Sequence, residues 1–116
     1  MDVVVTVPKS FGLDRWIKEG DAAGEPESGE EWGFFLGGSA PKDINPGERV
    51  YIVYDGKLRG YAPLVRVQRT EGGYALVRKG GAVAVTIARP TPGFRGLRYR
   101  WWDRSEETPF PEWMTP

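Results

Sequence analysis

The chain has 116 residues, equal numbers of basic and acidic side chains, and neither histidine nor cysteine. This composition excludes an imidazole base, a thiolate nucleophile, a disulfide framework and a conventional zinc site. The length fits one domain with a single core, and no apolar run approaches the roughly 20 residues of a membrane-spanning helix. The start of the chain is not typical of a signal peptide. The sequence therefore predicts a cytoplasmic protein without membrane attachment, metal or cofactor.

The balanced net charge hides a segregation along the chain. Residues 1–56 carry 5 basic and 11 acidic side chains, residues 57–104 carry 11 basic and 2 acidic ones, and residues 105–116 carry three acidic ones. If these segments map onto surface regions, the middle of the chain creates a positively charged face. The alternative is that folding interleaves the segments and cancels the field.

The first third of the chain predicts a strand, a helix, a loop and a second strand. The run from Val3 to Val7 is β-branched throughout, which is typical of a strand buried on both faces. Ser10 can cap a short helix from Phe11 to about Lys18. Residues 21–30 predict an acidic surface loop, and the run from Glu31 to Gly37 predicts the second strand.

The next segment predicts a hairpin. The run from Arg49 to Tyr54 is the clearest strand pattern in the chain, and Asp55-Gly56 after it is a strong hairpin signal. The return strand extends from Lys57 to Val67. Gly60 and Pro63 within it predict a bulge or bend, as at a barrel corner, and argue against an uninterrupted central strand.

Glycine turns then separate two further strands, from Tyr74 to Arg78 and from Ala82 to Ala88. The whole pattern predicts a mostly-β (α+β) fold, a small pseudo-barrel of about six to seven strands with one or two short helices. Residues 1–104 would form this single domain. Residues 105–116 would be an acidic, proline-containing tail without regular structure, packed on the barrel or flanking it.

The stretch from Phe94 to Trp102 combines three arginines with four aromatic residues. In a strand, alternate residues share a face. One face is predicted to pack into the core and consists of Leu97, Tyr99 and Trp101. The opposite face offers guanidinium groups beside an indole, which suit phosphates and stacked bases. It consists of Arg98, Arg100 and Trp102.

A short pattern extends from Asn45 to Ala62: Pro-Gly-Glu-Arg-Val opens a strand, a two-residue turn follows, and Gly-Lys opens a strand that carries a glycine. This pattern resembles the PUA-like superfamily, which includes the PUA, ASCH and EVE domains. The upstream order of strand, short helix and strand is similar to the start of an ASCH domain. The resemblance covers roughly residues 3–67.

The resemblance implies a pseudo-barrel with a cleft that binds RNA or holds a flipped or modified base. Some ASCH members are hydrolases that act on RNA or modified nucleosides. They carry a Gly-x-Lys motif after the first helix and a glutamate further on. Here the corresponding place is Gly20-Asp21-Ala22, which lacks the lysine, although Glu30 or Glu31 could match the acidic position.

These features favour a nucleic-acid-binding module, with RNA, DNA or a modified or flipped base as the partner in a basic aromatic cleft. Arginines would neutralise phosphates and aromatic rings would stack bases. The predicted site residues are Arg59, Tyr61, Arg95, Arg98, Arg100, Trp102 and Trp32.

Two alternatives stay open. The first is an ASCH-type hydrolase acting on RNA or modified nucleosides, with Lys57 and Glu31 as candidate catalytic residues, although the missing motif lysine argues against catalysis. The second is a non-enzymatic protein-interaction domain. In that case the arginine face would meet acidic side chains of a neighbour or of its own tail. The tail carboxylates that could cover Arg98 and Arg100 belong to Glu106, Glu107 and Glu112.

Overall fold

A computed structural model of the chain describes residues 1–8, 31–38, 41, 43–79 and 83–109, except for the side chains of Trp32 and Lys79. The predicted helix at residues 11–18, the predicted loop at residues 21–30 and the end of the predicted tail lie outside the described residues. In the described part of the chain, no helix is long and apolar enough to cross a membrane.

The described residues form eight strands and one short 3₁₀ helix, Arg104–Glu106. The strands are β1 (Val3–Thr6), β2 (Glu31–Gly37), β3 (Arg49–Tyr54), β4 (Lys57–Thr70), β5 (Gly73–Lys79), β6 (Val85–Thr86), β7 (Leu97–Tyr99) and β8 (Thr108–Pro109). The prediction of a mostly-β fold is confirmed.

Six strands form one sheet in the order β2-β5-β4-β3-β1-β7, and β6 pairs with β8. β1 and β3 are parallel, and the other neighbours are antiparallel. The sheet curls into a half-barrel. Phe34 and Leu36 from one end of the sheet and Leu97 from the other pack against the same core cluster. The predicted pseudo-barrel is therefore confirmed.

The central strands of the sheet are buried on both faces. Val3 and Val5 belong to one core cluster, whereas Val4 belongs to a second cluster on the opposite face, and all three are 0% exposed. This confirms the two-sided burial predicted for β1. The second face is covered from the far end of the chain, because Ile87 and Trp102 complete the cluster around Val4.

The predicted hairpin is confirmed. Asp55 and Gly56 both have positive φ angles, 53° and 75°, and they join β3 to β4. Two successive residues with positive φ define the type I′ turn, whose twist matches that of the flanking strands.

β4 is a continuous strand of 14 residues, so the expectation that Pro63 would interrupt it was wrong. The strand instead changes partner there, because it pairs with β3 up to Pro63 and with β5 from Leu64 onwards. A residue without an N–H group is tolerated where one ladder ends and the next begins. The predicted bend is present as two register shifts, one opposite the Ile52–Val53 step and one between Leu64 and Arg66.

The last part of the described chain differs from its prediction. Of the strand expected from Ala82 to Ala88, the described residues from Val83 onwards form β6 and an isolated bridge from Val83 to Tyr61, and Ala82 lies outside the described residues. The strand expected from Phe94 to Trp102 is reduced to β7. The segment expected to lack regular structure contains the 3₁₀ helix and β8. Asp103 starts that helix with a capping box, in which its side chain accepts from the Ser105 N–H.

The β4–β5 turn provides a test of backbone packing. A Cβ atom added to Gly73 would lie 2.1 Å from the backbone oxygen of Leu36, whereas one added to Gly72 would meet nothing within 4 Å. We expect Gly73→Ala to lower the free energy of unfolding by about 3 kcal/mol, and Gly72→Ala to change it by less than about 0.5 kcal/mol. Urea denaturation of both variants measures the difference. Equal stabilities would contradict this packing of β2 on the turn.

Candidate functional site

The two neighbouring tryptophans have environments opposite to those predicted. Trp102 is 3% exposed and lies in the second core cluster, whereas Trp101 is 44% exposed. The placement of Trp101 in the core and of Trp102 on a solvent face was therefore wrong. The reason is that Arg98 pairs with Val4 across the β1–β7 ladder, so the supposed outer face of this stretch lies over the second core.

The opposite face of β7 follows the prediction only in part. Leu97 packs against the first core cluster, as expected. Tyr99 is 37% exposed, so its assignment to the core was wrong. β7 lies at the end of the sheet order, where fewer neighbours cover its last residue.

An aromatic row connects the surface to the second core cluster. It consists of Phe94, Trp101, Trp102, Tyr51 and Tyr61. Successive ring centroids lie 5.9, 5.0, 5.0 and 5.2 Å apart, and the first three contacts are edge-to-face. This geometry is favourable for aromatic pairs. Two predicted site residues, Tyr61 and Trp102, therefore share one row, but the exposed tryptophan of the row is Trp101.

Phe94 lies between that exposed tryptophan and a basic side chain. The guanidinium carbon of Arg98 lies 4.5 Å from the centroid of the Phe94 ring, within the range of a cation–π contact. Arg95 and Arg98 are both exposed. The Phe94 N–H donates to Thr6 Oγ1 at 3.2 Å, which fixes the loop before β7 to β1. We call Phe94, Arg95, Arg98 and Trp101 the β7 patch.

Arg100 does not join the β7 patch, because it forms an ion pair with the buried carboxylate of Asp2. Its Nε donates to Asp2 Oδ2 at 3.2 Å, and Arg104 Nη2 donates to the same oxygen at 2.7 Å. The Arg49 N–H donates to Asp2 Oδ1 at 3.0 Å. Burial by itself would raise the pKa of Asp2, but these donors outweigh it and hold the pKa below its ordinary value.

A second buried carboxylate, that of Glu107, accepts from three different donors. Arg49 Nη1 donates at 3.1 Å, the Tyr51 hydroxyl at 2.6 Å and Trp102 Nε1 at 2.9 Å. The Glu107 side chain is only 6% exposed. Burial and the hydrogen bond to Glu107 raise the pKa of the Tyr51 phenol, so that it stays protonated and donates. The hydrogen bond to the buried Glu107 carboxylate thus fixes the position of the Trp102 indole.

The two described tail carboxylates, Glu106 and Glu107, pair with arginines other than Arg98 and Arg100. Glu106 accepts from Arg89 Nη2 at 3.1 and 3.3 Å, and Glu107 accepts from Arg49. Glu112 lies outside the described residues. In the described ranges, neither Arg95 nor Arg98 is in an ion pair, so the β7 patch keeps its positive charge.

The remaining predicted binding residues lie on other strands. Arg59 and Tyr61 are half-buried on β4, separated from β7 in the sheet by β3 and β1. The guanidinium carbon of Arg49 lies 4.1 Å from the centroid of the Tyr61 ring and occupies one ring face. The backbone of Trp32 lies in β2, and its side chain is outside the described atoms.

The candidate catalytic residues are not brought together. Glu31 forms a bidentate ion pair with Arg66, in which both N–O distances are 3.0 Å. Lys57 is exposed beside the β3–β4 turn, where it pairs with Tyr54. Among the described residues, no group of three or more carboxylates could hold a metal ion.

A concavity of about 530 Å³ lies at the β4–β5 turn. Its lining includes Val67, Arg69, Glu71 and Tyr74. Burial, with a contribution from nearby Tyr99, raises the pKa of the Tyr74 phenol. None of the residues predicted to bind nucleic acid lines this concavity, so the candidate interface is a surface patch beside β7.

Comparison with protein-family models, with curated proteins and with solved structures finds no match to this chain. The relation to the PUA-like superfamily therefore stays a prediction from the pattern between Asn45 and Ala62.

The carboxylate of Asp2 gives a stability prediction that depends on pH. Because its pKa is lower in the folded than in the unfolded chain, it stabilises the fold above about pH 4 and loses this effect as the pH falls through its folded-state pKa. We expect Asp2→Asn to lower the free energy of unfolding by about 2 kcal/mol at pH 7. Denaturation curves from neutral to acidic pH should show the gap to the unmodified protein closing below about pH 4.

Asp43→Asn is the matched control, because the Asp43 side chain is exposed. This variant should unfold like the unmodified protein at neutral pH. A gap between Asp2→Asn and the unmodified protein that widens on acidification would contradict the role assigned to Asp2.

Proposed function

We propose that this protein binds single-stranded nucleic acid, with RNA or a modified base as the favoured partner, through the β7 patch. The observation that carries the proposal is the exposed indole of Trp101, 44% accessible and held edge-on between Phe94 and Trp102. The Trp101 ring contacts Phe94, and the Arg98 guanidinium lies on the Phe94 ring, so an exposed stacking surface lies next to a cationic group.

Stacking on Trp101 explains why the partner would be single-stranded. Base–aromatic stacking contributes about 1–3 kcal/mol per base and requires a base whose face is not already stacked on a neighbour. The Phe94 ring is covered by the Arg98 guanidinium on one face, which leaves Trp101 as the platform of the patch. A single platform can stack either a standard or a modified base, so we expect only a modest sequence preference.

Arg95 and Arg98 supply the electrostatic part of the interface. Both are exposed, and both lie within the segment 57–104 that carries 11 of the 16 basic side chains. The buried carboxylates of Asp2 and Glu107 pair with arginines other than these two. Guanidinium groups suit phosphate oxygens because they offer several donors in one plane.

The curled, mostly-β fold is compatible with a member of the PUA-like superfamily, and we propose this relation together with nucleic-acid binding. The hydrolase alternative has less support. Lys57 is exposed beside a turn, and the Glu31 carboxylate already accepts two hydrogen bonds from Arg66.

Replacing Trp101 tests the platform. We expect Trp101→Ala to weaken binding of a short single-stranded RNA about 10-fold, because it removes one stacking surface. Fluorescence anisotropy of a labelled RNA at low salt measures the affinity. Phe35→Ala is the matched control, since Phe35 is 74% exposed on β2 at the far end of the sheet order. Equal losses in the two variants would reject Trp101 as the platform.

Replacing Arg98 tests the phosphate contact. We expect Arg98→Ala to weaken RNA binding and to reduce the slope of log affinity against log salt by about 0.7, the value for one phosphate contact on a single strand. Arg66→Ala removes the same charge from an arginine that is already paired with Glu31, and it should leave the slope unchanged. If both variants change the slope equally, the interaction is non-specific and the β7 patch is not the interface.

A further inference from the structure

The structure assigns to Glu107 the role of a positioning residue, which orients the Trp101 platform through Trp102. This inference rests on the proposed function of the β7 patch. Glu107 does not belong to that patch and would not touch the nucleic acid. Its effect would be transmitted by two contacts, a hydrogen bond from Trp102 and the packing of Trp102 on Trp101.

The Glu107 carboxylate is itself fixed. Two of its three donors, the Arg49 guanidinium and the Tyr51 hydroxyl, come from β3, the parallel neighbour of β1 in the sheet. Arg49 Nη1 also donates to the Tyr51 hydroxyl at 3.0 Å, which ties the two donors to each other. A buried carboxylate with three donors has one favourable position, because leaving any of these polar groups unpaired would be costly.

Trp102 is fixed by Glu107 at one end and by packing along its ring. Its Nε1–H donates to Glu107 Oε2 at 2.9 Å, and its ring meets Tyr51 edge-on with a centroid distance of 5.0 Å and an interplanar angle of 77°. The indole rotates only if it gives up that hydrogen bond inside the second core cluster. The orientation of Trp102 therefore depends on the Glu107 carboxylate.

Trp101 takes its orientation from Trp102. Their rings meet edge-to-face at 5.0 Å with an interplanar angle of 89°, and the Phe94 ring packs against Trp101 at 5.9 Å. An exposed side chain that is held by two edge contacts loses little further freedom when a base stacks on it. Such pre-organisation raises affinity by lowering the entropic cost of binding.

The direction in which one substitution changes RNA affinity distinguishes a positioning role from a purely electrostatic one. Glu107→Gln removes a negative charge near a surface that binds a polyanion, so electrostatics alone predicts tighter binding. Positioning predicts weaker binding, because an uncharged amide accepts less strongly from three donors and leaves the Trp102 indole less restrained. Glu106→Gln is the matched control, since it removes the same charge from the neighbouring carboxylate, which is 43% exposed.

The experiment compares these two variants with the unmodified full chain, using the same short single-stranded RNA. We expect Glu107→Gln to weaken binding about 5-fold with an unchanged salt slope, because no cation is lost. Glu106→Gln should leave affinity unchanged or slightly higher. Thermal unfolding identifies a temperature at which both variants are folded.

A second readout needs no RNA. With 5-fluorotryptophan incorporated, the ¹⁹F resonance of Trp101, assigned by Trp101→Phe, should broaden or shift in Glu107→Gln and not in Glu106→Gln. If the unmodified chain fails to bind RNA while this effect is present, the proposed function is rejected but the coupling of Glu107 to Trp101 holds. If RNA binds through Trp101 and Glu107→Gln behaves like Glu106→Gln in both readouts, the inference is wrong.

Tighter RNA binding by Glu107→Gln than by Glu106→Gln also overturns the inference, because the main effect of the Glu107 carboxylate would then be to repel the phosphates. If Glu107→Gln does not fold, Trp102→Phe replaces it. That variant keeps an aromatic ring in the second core cluster but lacks the indole N–H that donates to Glu107. It should weaken RNA binding about 5-fold while Trp101 is intact, and unchanged affinity would overturn the inference.

Discussion

The burial of β1 and β3 on both faces is the constraint on which the rest of this fold depends. A strand of valines without polar faces needs a hydrophobic layer on each side. One layer lies inside the half-barrel, and in the described part of the chain the other is completed by residues that follow β5. Ile87 and Trp102 provide it. The same requirement explains why Trp102 is buried in the core, although the alternation of the sequence placed it on a solvent-exposed face.

Two buried carboxylates form ion pairs with three of the arginines in this fold. Asp2 and Glu107 are far apart in the chain, and both are bound by Arg49, through its backbone N–H and its guanidinium group respectively. Arg100 and Arg104 complete the set at Asp2. Buried charges persist only when they are paired, so these arginines are structural. Part of the charge of the basic segment is therefore neutralised inside the fold, whereas Arg95 and Arg98 are exposed and do not take part in these ion pairs.

Local patterns predicted the strands β1 and β3, the Asp55-Gly56 turn and the bend in β4, because β-branched runs, turn dipeptides and an internal glycine and proline each act over a few residues. The alternation around β7 also assigned Leu97 and Arg98 to opposite faces. The sequence alone does not reveal which of these two faces is exposed to solvent. The exposure depends on the packing of Trp102 on Tyr51 and on the hydrogen bond that Trp102 donates to Glu107. Two-sided burial of β1 was the available signal, because it implies that neighbouring strands are covered on both faces as well.

The most direct test concerns the two adjacent indoles. In ¹H–¹⁵N spectra, with each indole N–H assigned by Trp→Phe substitution, solvent exchange and RNA addition can be followed separately for Trp101 and Trp102. We expect slow exchange for the Trp102 N–H, which donates to a buried carboxylate, and fast exchange for that of Trp101. Single-stranded RNA should perturb the Trp101 resonance first. Rapid exchange at Trp102, or an RNA response there without one at Trp101, would contradict the assignment of Trp102 to the core and of Trp101 to the binding surface.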